Sequence, residues 1–80
     1  MMSATMTQLN DIFQDVFEDD ELEVSRETTA HDVEGWDSLM HVTLIVNVEK
    51  VFGVKFASSE ISALKKVGDL EELIHSYQEA

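Results

Sequence analysis

The sequence predicts an all-α fold, a small bundle of three main helices plus one short helix, with a long loop between the first two. Three observations carry this expectation. Apolar residues recur at helical spacing in three separate segments, while alternating strand patterns are hard to find. There is no proline anywhere, and Gly53 stands where the central periodic segment stops. Residues 1–80 show no internal repeat and no linker, so they read as a single domain, 44% hydrophobic and able to form a core. With no cysteine the fold must rest on helix packing alone, and thiolate metal sites and nucleophiles are excluded.

The first helix is expected over about 4–17, where Leu9, Ile12, Phe13, Val16 and Phe17 share one face and Ser3 or Thr5 can cap. The acidic run "EDDELE" carries too much like charge to continue it. From Glu18 to Asp37 no period is evident, and connections of that length tend to be functional. Leu22, Val24, Val33 and Trp36 are the residues available to pin this loop to a core. Its acidity does not make a calcium loop, because no register supplies alternating oxygen ligands with glycine sixth and glutamate twelfth. The second helix is expected over 38–52 and a short one over 59–64. The last spans 67–78, burying Leu70, Leu73, Ile74 and Tyr77. Asp69, Glu71 and Glu72 suit the dipole of its first turns, and Gly68 is a weak point there.

Seventeen acidic residues against five basic ones give a formal net charge of -12. Such a surface repels nucleic acid and favours basic protein surfaces. No apolar run approaches the roughly 20 residues of a membrane span, and "MMSATMTQL" lacks the pattern of a secretory signal. A cytoplasmic, monomeric protein is the expectation. His31, His41 and His75 are scattered and make no metal site.

On a helical wheel the second helix carries two apolar groups. Leu44, Ile45, Val48, Val51 and Phe52 form a broad stripe for the core, with His41 inside its angular range. Leu39, Val42 and Val46 form a narrower one, bordered by Thr43, Asn47 and Lys50. The narrower stripe is either additional core or a docking surface. It begins one residue after Ser38.

Ser38 admits three readings. It can cap the helix, as can Asp37 before it. It can be a nucleophile with His41 three residues on, but a hydrolase elbow wants glycines where Trp36 and Met40 stand, and so small a domain does not readily enclose a substrate. It can be an attachment point, since a helix N-terminus tolerates an anion and a long loop ending there leaves the hydroxyl accessible.

Asp37-Ser38-Leu39 resembles the Asp-Ser-Leu motif of acyl carrier proteins. Gly35 precedes the motif as in that family, "EKVFGVKF" resembles the end of its second helix, Glu60-Ile61 the start of its third, and "KVGDLEELI" its fourth. The resemblance runs from the first helix almost to the C-terminus. It implies a non-catalytic carrier in which Ser38, flanked by Asp37 and Leu39, bears 4'-phosphopantetheine taken from coenzyme A by a phosphopantetheinyl transferase. Acyl or aminoacyl cargo would then ride as a thioester to loading and biosynthetic enzymes of a fatty-acid, polyketide or other specialised pathway. The absence of cysteine fits, because the working sulfur arrives with the prosthetic group. Leu39, Val42, Thr43, Val46, Asn47 and Lys50 become the expected partner-docking residues, and His41, Ile45 and Phe52 candidates for lining an acyl pocket. The alternative is an unmodified interaction module on the same fold.

In one respect the chain departs from the family. Well-known fatty-acid carriers have acidic residues along the second helix, whereas here Glu49 is the main acid among Met40, Thr43, Asn47 and Lys50. That departure implies a specialised, stand-alone carrier of a dedicated pathway.

Overall fold

The computed structural model describes residues 4–78, which form α1 (Ala4–Val16), α2 (Ser38–Phe52), α3 (Ser58–Ser62) and α4 (Val67–Gln78), joined by loops. Ser3, one of the two expected caps, lies outside the described residues. The other, Thr5, is inside α1 and buried, and its hydroxyl lies 2.9 Å from His75 Nε2 on α4. Thr5 is therefore a cross-helix partner of His75 and not a cap.

α1 ends one residue earlier than its periodicity suggests, and backbone geometry ends it rather than charge repulsion. Glu18 adopts φ 52, a left-handed conformation. Its N–H bonds Asp15 O at 3.3 Å, and Asp19 N–H reaches back to Gln14 O at 3.0 Å, the paired bonds that close a helix C-terminus. α2 ends similarly at Gly53, φ 67, with Val54 N–H on Glu49 O. There the left-handed residue is the glycine that adopts it without steric penalty.

The core joins Met6, Leu9, Ile12 and Phe13 of α1 to Leu44, Ile45 and Val48 of α2 and to Val67, Leu70 and Ile74 of α4. Phe56 enters from the α2–α3 connection and meets the Tyr77 ring edge-on at 5.2 Å. Val51, expected in the buried stripe, is 53% exposed. At 100° per residue it falls at the edge of the stripe, beyond Leu44, while Phe52 in the same turn packs against the core.

The long loop is held at both ends. Asn10 Oδ1 accepts Val24 N–H at 2.8 Å, and Gln14 Nε2 donates to Leu22 O at 2.9 Å, so α1 satisfies the outgoing strand of loop. Val24 and Val33 are buried beneath it, while Leu22 and Trp36 are partly buried against the core. Farther along, Val67 N–H bonds Thr28 O and Gly68 N–H bonds Arg26 O, both at 2.9 Å, with an isolated antiparallel bridge between Thr29 and Lys66. Loop and α4 N-terminus thus share backbone bonds.

Gly68 is explained by this contact. A Cβ there would lie 3.0 Å from Arg26 O and 3.2 Å from Arg26 Cβ. Alanine ordinarily improves a helix position by about 1 kcal/mol over glycine. Here Gly68→Ala is expected to destabilise by about 1–2 kcal/mol, because the loop backbone must move to admit the methyl. Thermal unfolding reads the sign directly, and a raised Tm would contradict it.

α3 begins one residue earlier than expected and ends two earlier. Glu60 Oε1 accepts Ala57 N–H at 2.9 Å, fixing the start, and Ala63 N–H is shared between Ser59 O and Glu60 O, tightening the end. The Tyr77 hydroxyl donates to the same Glu60 carboxylate, which holds Glu60 below its ordinary pKa and raises that of Tyr77. Glu71, expected merely to complement the α4 dipole, is buried and ion-paired with Arg26.

Candidate functional site

The loop turns into α2 through Gly35, at φ 87, a value that favours glycine. Asp37, with extended backbone at φ -113 and ψ -172, is the N-cap: its Oδ1 accepts Met40 N–H at 2.9 Å and its carbonyl accepts His41 N–H at 2.8 Å. The capping role therefore belongs to Asp37. Ser38 is the first residue of the helix, and it is exposed. At that position the backbone N–H groups of the first turn point outward and the helix dipole is positive.

Trp36 is fixed from two sides. Its indole meets Phe13 edge-on at 5.2 Å and Phe17 at 6.2 Å, and it stacks on the His41 ring at 6.0 Å. The indole Nε1–H donates to His41 Nδ1 at 3.1 Å. Since an indole only donates, His41 Nδ1 is an acceptor and the proton resides on Nε2, which faces Ile61 O at 3.4 Å. His41 thus ties the loop end to α2 and to α3. Both ring nitrogens are committed, and neither serves as a base for Ser38. Asp37 Oδ1 is turned onto the Met40 N–H as the helix cap. The nucleophile reading has no activating group within this arrangement.

Beside Ser38 a cleft of about 500 Å³ opens between the start of α2 and the α3–α4 segment. Trp36, Asp37, Ser38, His41 and Val42 line one side, and Ile61, Ser62, Leu64, Lys65 and Lys66 the other, with the buried Val67 and Leu70 behind them. Of the three candidates for an acyl pocket, His41 lines this cleft. Ile45 does not; it is sealed in the core at 2% exposure. Phe52 packs against the core at the far end of α2 and is also not part of it.

Along α2 the second stripe stays uncovered. Leu39 is 75%, Val42 59% and Val46 41% exposed. Thr43 and Asn47 turn their donors back onto the helix, Thr43 Oγ1 to Leu39 O at 3.3 Å and Asn47 Nδ2 to Thr43 O at 2.8 Å. Glu49 Oε2 accepts Phe56 N–H at 2.8 Å, so the one acid of α2 is turned to the α2–α3 connection. Lys50 is exposed. The outward face of α2 is therefore apolar with a neutral border and a single cation. The wheel located the stripe but missed the Glu49 contact, the Trp36–His41 bond and the two lysines in the cleft. Among the described residues no three His, Asp or Glu side chains are grouped to hold a metal ion, and no helix is long and apolar enough to cross a membrane.

Known proteins resemble this chain over most of its length. Residues 7–74 match the family described as phosphopantetheine attachment site. An acyl carrier protein of Coprothermobacter proteolyticus is 32% identical over 69 residues, covering 86% of this chain and 84% of that one. An acyl carrier protein of Renibacterium salmoninarum is 43% identical over 42 residues; that match spans about half of each, 52% in both cases. Among solved structures, the holo acyl carrier protein of Geobacter metallireducens superposes with a TM-score of 0.88 at 43% identity, covering 95% of this chain and 87% of that one.

Proposed function

The chain belongs to the acyl carrier protein family, whose members are non-catalytic carriers with a 4'-phosphopantetheine prosthetic group, and on that premise we propose that Ser38 is the residue that bears the group. The observation that carries this reading is the exposed Ser38 hydroxyl at the first position of α2, beside the open cleft. The surroundings fit the group: the helix N-terminus receives a phosphodiester, Asp37 Oδ1 is held by the Met40 N–H, and His41 Nδ1 by the Trp36 indole. When bound, the group supplies a thiol on which acyl or aminoacyl cargo is held as a thioester.

The chain's own residues do the rest. Asp37 sets the start of the helix and so the position of Ser38. Trp36 and His41 clamp the loop end, keeping the hydroxyl presented at one place. Leu39, Val42 and Val46, bordered by Thr43, Asn47 and Lys50, form the docking face for a phosphopantetheinyl transferase and for loading and biosynthetic enzymes. Because Glu49, the one acid within α2, is turned to the α2–α3 connection, docking there relies on apolar contact more than on charge steering, which suits partners of a dedicated pathway.

Incubation with coenzyme A and a phosphopantetheinyl transferase should add one arm to the wild type. Ser38→Ala should gain none while keeping the wild-type circular dichroism and Tm, since Asp37 and not Ser38 makes the cap. A folded Ser38→Ala protein that is still modified would reject Ser38 as the site. A wild type that stays unmodified with several transferases would favour an interaction module on the carrier fold.

A further inference from the structure

Two of the five basic residues in this chain, Lys65 and Lys66, line the cleft that Ser38 borders. The rest of its lining is mostly apolar, with Trp36, Ile61 and Leu64 among it. In a molecule of formal charge -12, whose residues 11–37 alone hold eleven carboxylates and one arginine, an anion is repelled almost everywhere else. The positions of the two lysines are set by the backbone. Both of their N–H groups donate to Asp69 Oδ2, at 3.1 and 3.3 Å, which fixes the approach to α4.

The charges already facing these ammonium groups leave them available. Lys66 Nζ is 3.8 Å from Glu27 Oε2, but the side chains are 44% and 82% exposed, and an exposed pair of that kind is weak and exchangeable. Asp37, the carboxylate within the cleft, keeps its charge while its Oδ1 accepts the Met40 N–H, and it makes no ion pair with either lysine. Two exposed lysines beside an apolar lining suit an anion delivered on an otherwise uncharged chain, the apolar residues receiving the chain and the ammonium groups the anion.

We propose that Lys65 and Lys66 make this cleft an anion-accepting site for what hangs on Ser38. The proposal rests on Ser38 being the attachment point. Two sources share the chemistry: the phosphodiester of the arm, and a carboxylate at the far end of the cargo.

The test loads the wild type and the Lys65→Gln/Lys66→Gln variant with coenzyme A, butyryl-coenzyme A or glutaryl-coenzyme A, each confirmed by intact mass. The lysine Cε–Hε cross-peaks are followed by NMR, and thioester release by hydroxylamine is timed. If the phosphodiester is the anion, the Lys65 and Lys66 peaks move in all three loaded forms. If the cargo carboxylate is the anion, they move only in the glutaryl form. Glutaryl release should then be slower than butyryl release by roughly two- to fivefold, as for an ion pair at a wet rim, and the two rates should converge in the double variant. Peaks unmoved in every loaded form overturn the proposal. So do peaks that move as far with butyryl as with glutaryl but not with coenzyme A, because they report chain packing and not charge. A wild type that gains no mass fails at the Ser38 reading, before any lysine is probed, and removes this proposal with it.

Discussion

Phe13→Ala is expected to destabilise the domain by about 3–5 kcal/mol, the range for truncating a fully buried phenylalanine. Phe13 is 0% exposed, contacts the Phe17 ring at 5.8 Å and receives the Trp36 indole edge-on at 5.2 Å. Its removal opens a cavity where α1 meets the loop end that leads into Ser38. A domain of this size has roughly 0.05–0.15 kcal/mol of stability per residue, so the loss consumes much of the total. Urea unfolding followed by Trp36 fluorescence measures it, Trp36 being the sole tryptophan. Because the same ring braces Trp36, the folded variant should also show red-shifted emission. A loss below about 1 kcal/mol would show that the loop end is not braced by this ring, since even partial collapse leaves more than that.

The second large effect concerns the charge inside the fold. Arg26 bonds the Glu71 carboxylate, whose side chain is 5% exposed, and also approaches Glu72 at 3.4 Å. Removing one member of a buried pair is costly because the remaining charge stays desolvated. Arg26 itself is about half exposed, so the full figure for a buried pair is discounted, and Arg26→Ala is expected to cost about 2–3 kcal/mol. The Arg26→Ala/Glu71→Met double variant should recover most of that loss, since an apolar side chain of similar volume replaces the carboxylate without desolvation. Chemical unfolding of the two variants makes the comparison. A double variant no more stable than Arg26→Ala would mean that loss of the arginine's packing, and not the stranded charge, sets the effect.

What could be read from the sequence depended on range. The stripes of α1, α2 and α4 are periodic, so Leu9, Phe13, Leu44, Val48, Leu70 and Ile74 announce themselves as core. The exposed stripe at Leu39, Val42 and Val46 follows from the same angles, as does Ser38 at the mouth of α2. Interactions that cross the chain left no local trace. Glu71 has the spacing of a surface acid, and its burial depends on Arg26, 45 positions away. Glu49 reads as a surface charge on the wheel until the chain beyond Gly53 folds back and presents Phe56 N–H to it. His75 finds Thr5 across 70 positions. Trp36 and His41 are only five apart, yet their bond needs the loop to enter the helix through the Asp37 cap, a geometry the residue types alone do not impose. Lys65 and Lys66 likewise become part of the cleft only when α3 and α4 are in place.

The central claim is that Ser38 carries the prosthetic group. Its most direct measurement is fragmentation mass spectrometry of wild-type protein after reaction with coenzyme A and a phosphopantetheinyl transferase. A single phosphopantetheine increment is expected, localised by flanking fragments to Ser38 between Asp37 and Leu39. An increment placed on any other serine or threonine, Ser58 or Thr43 for example, would contradict it.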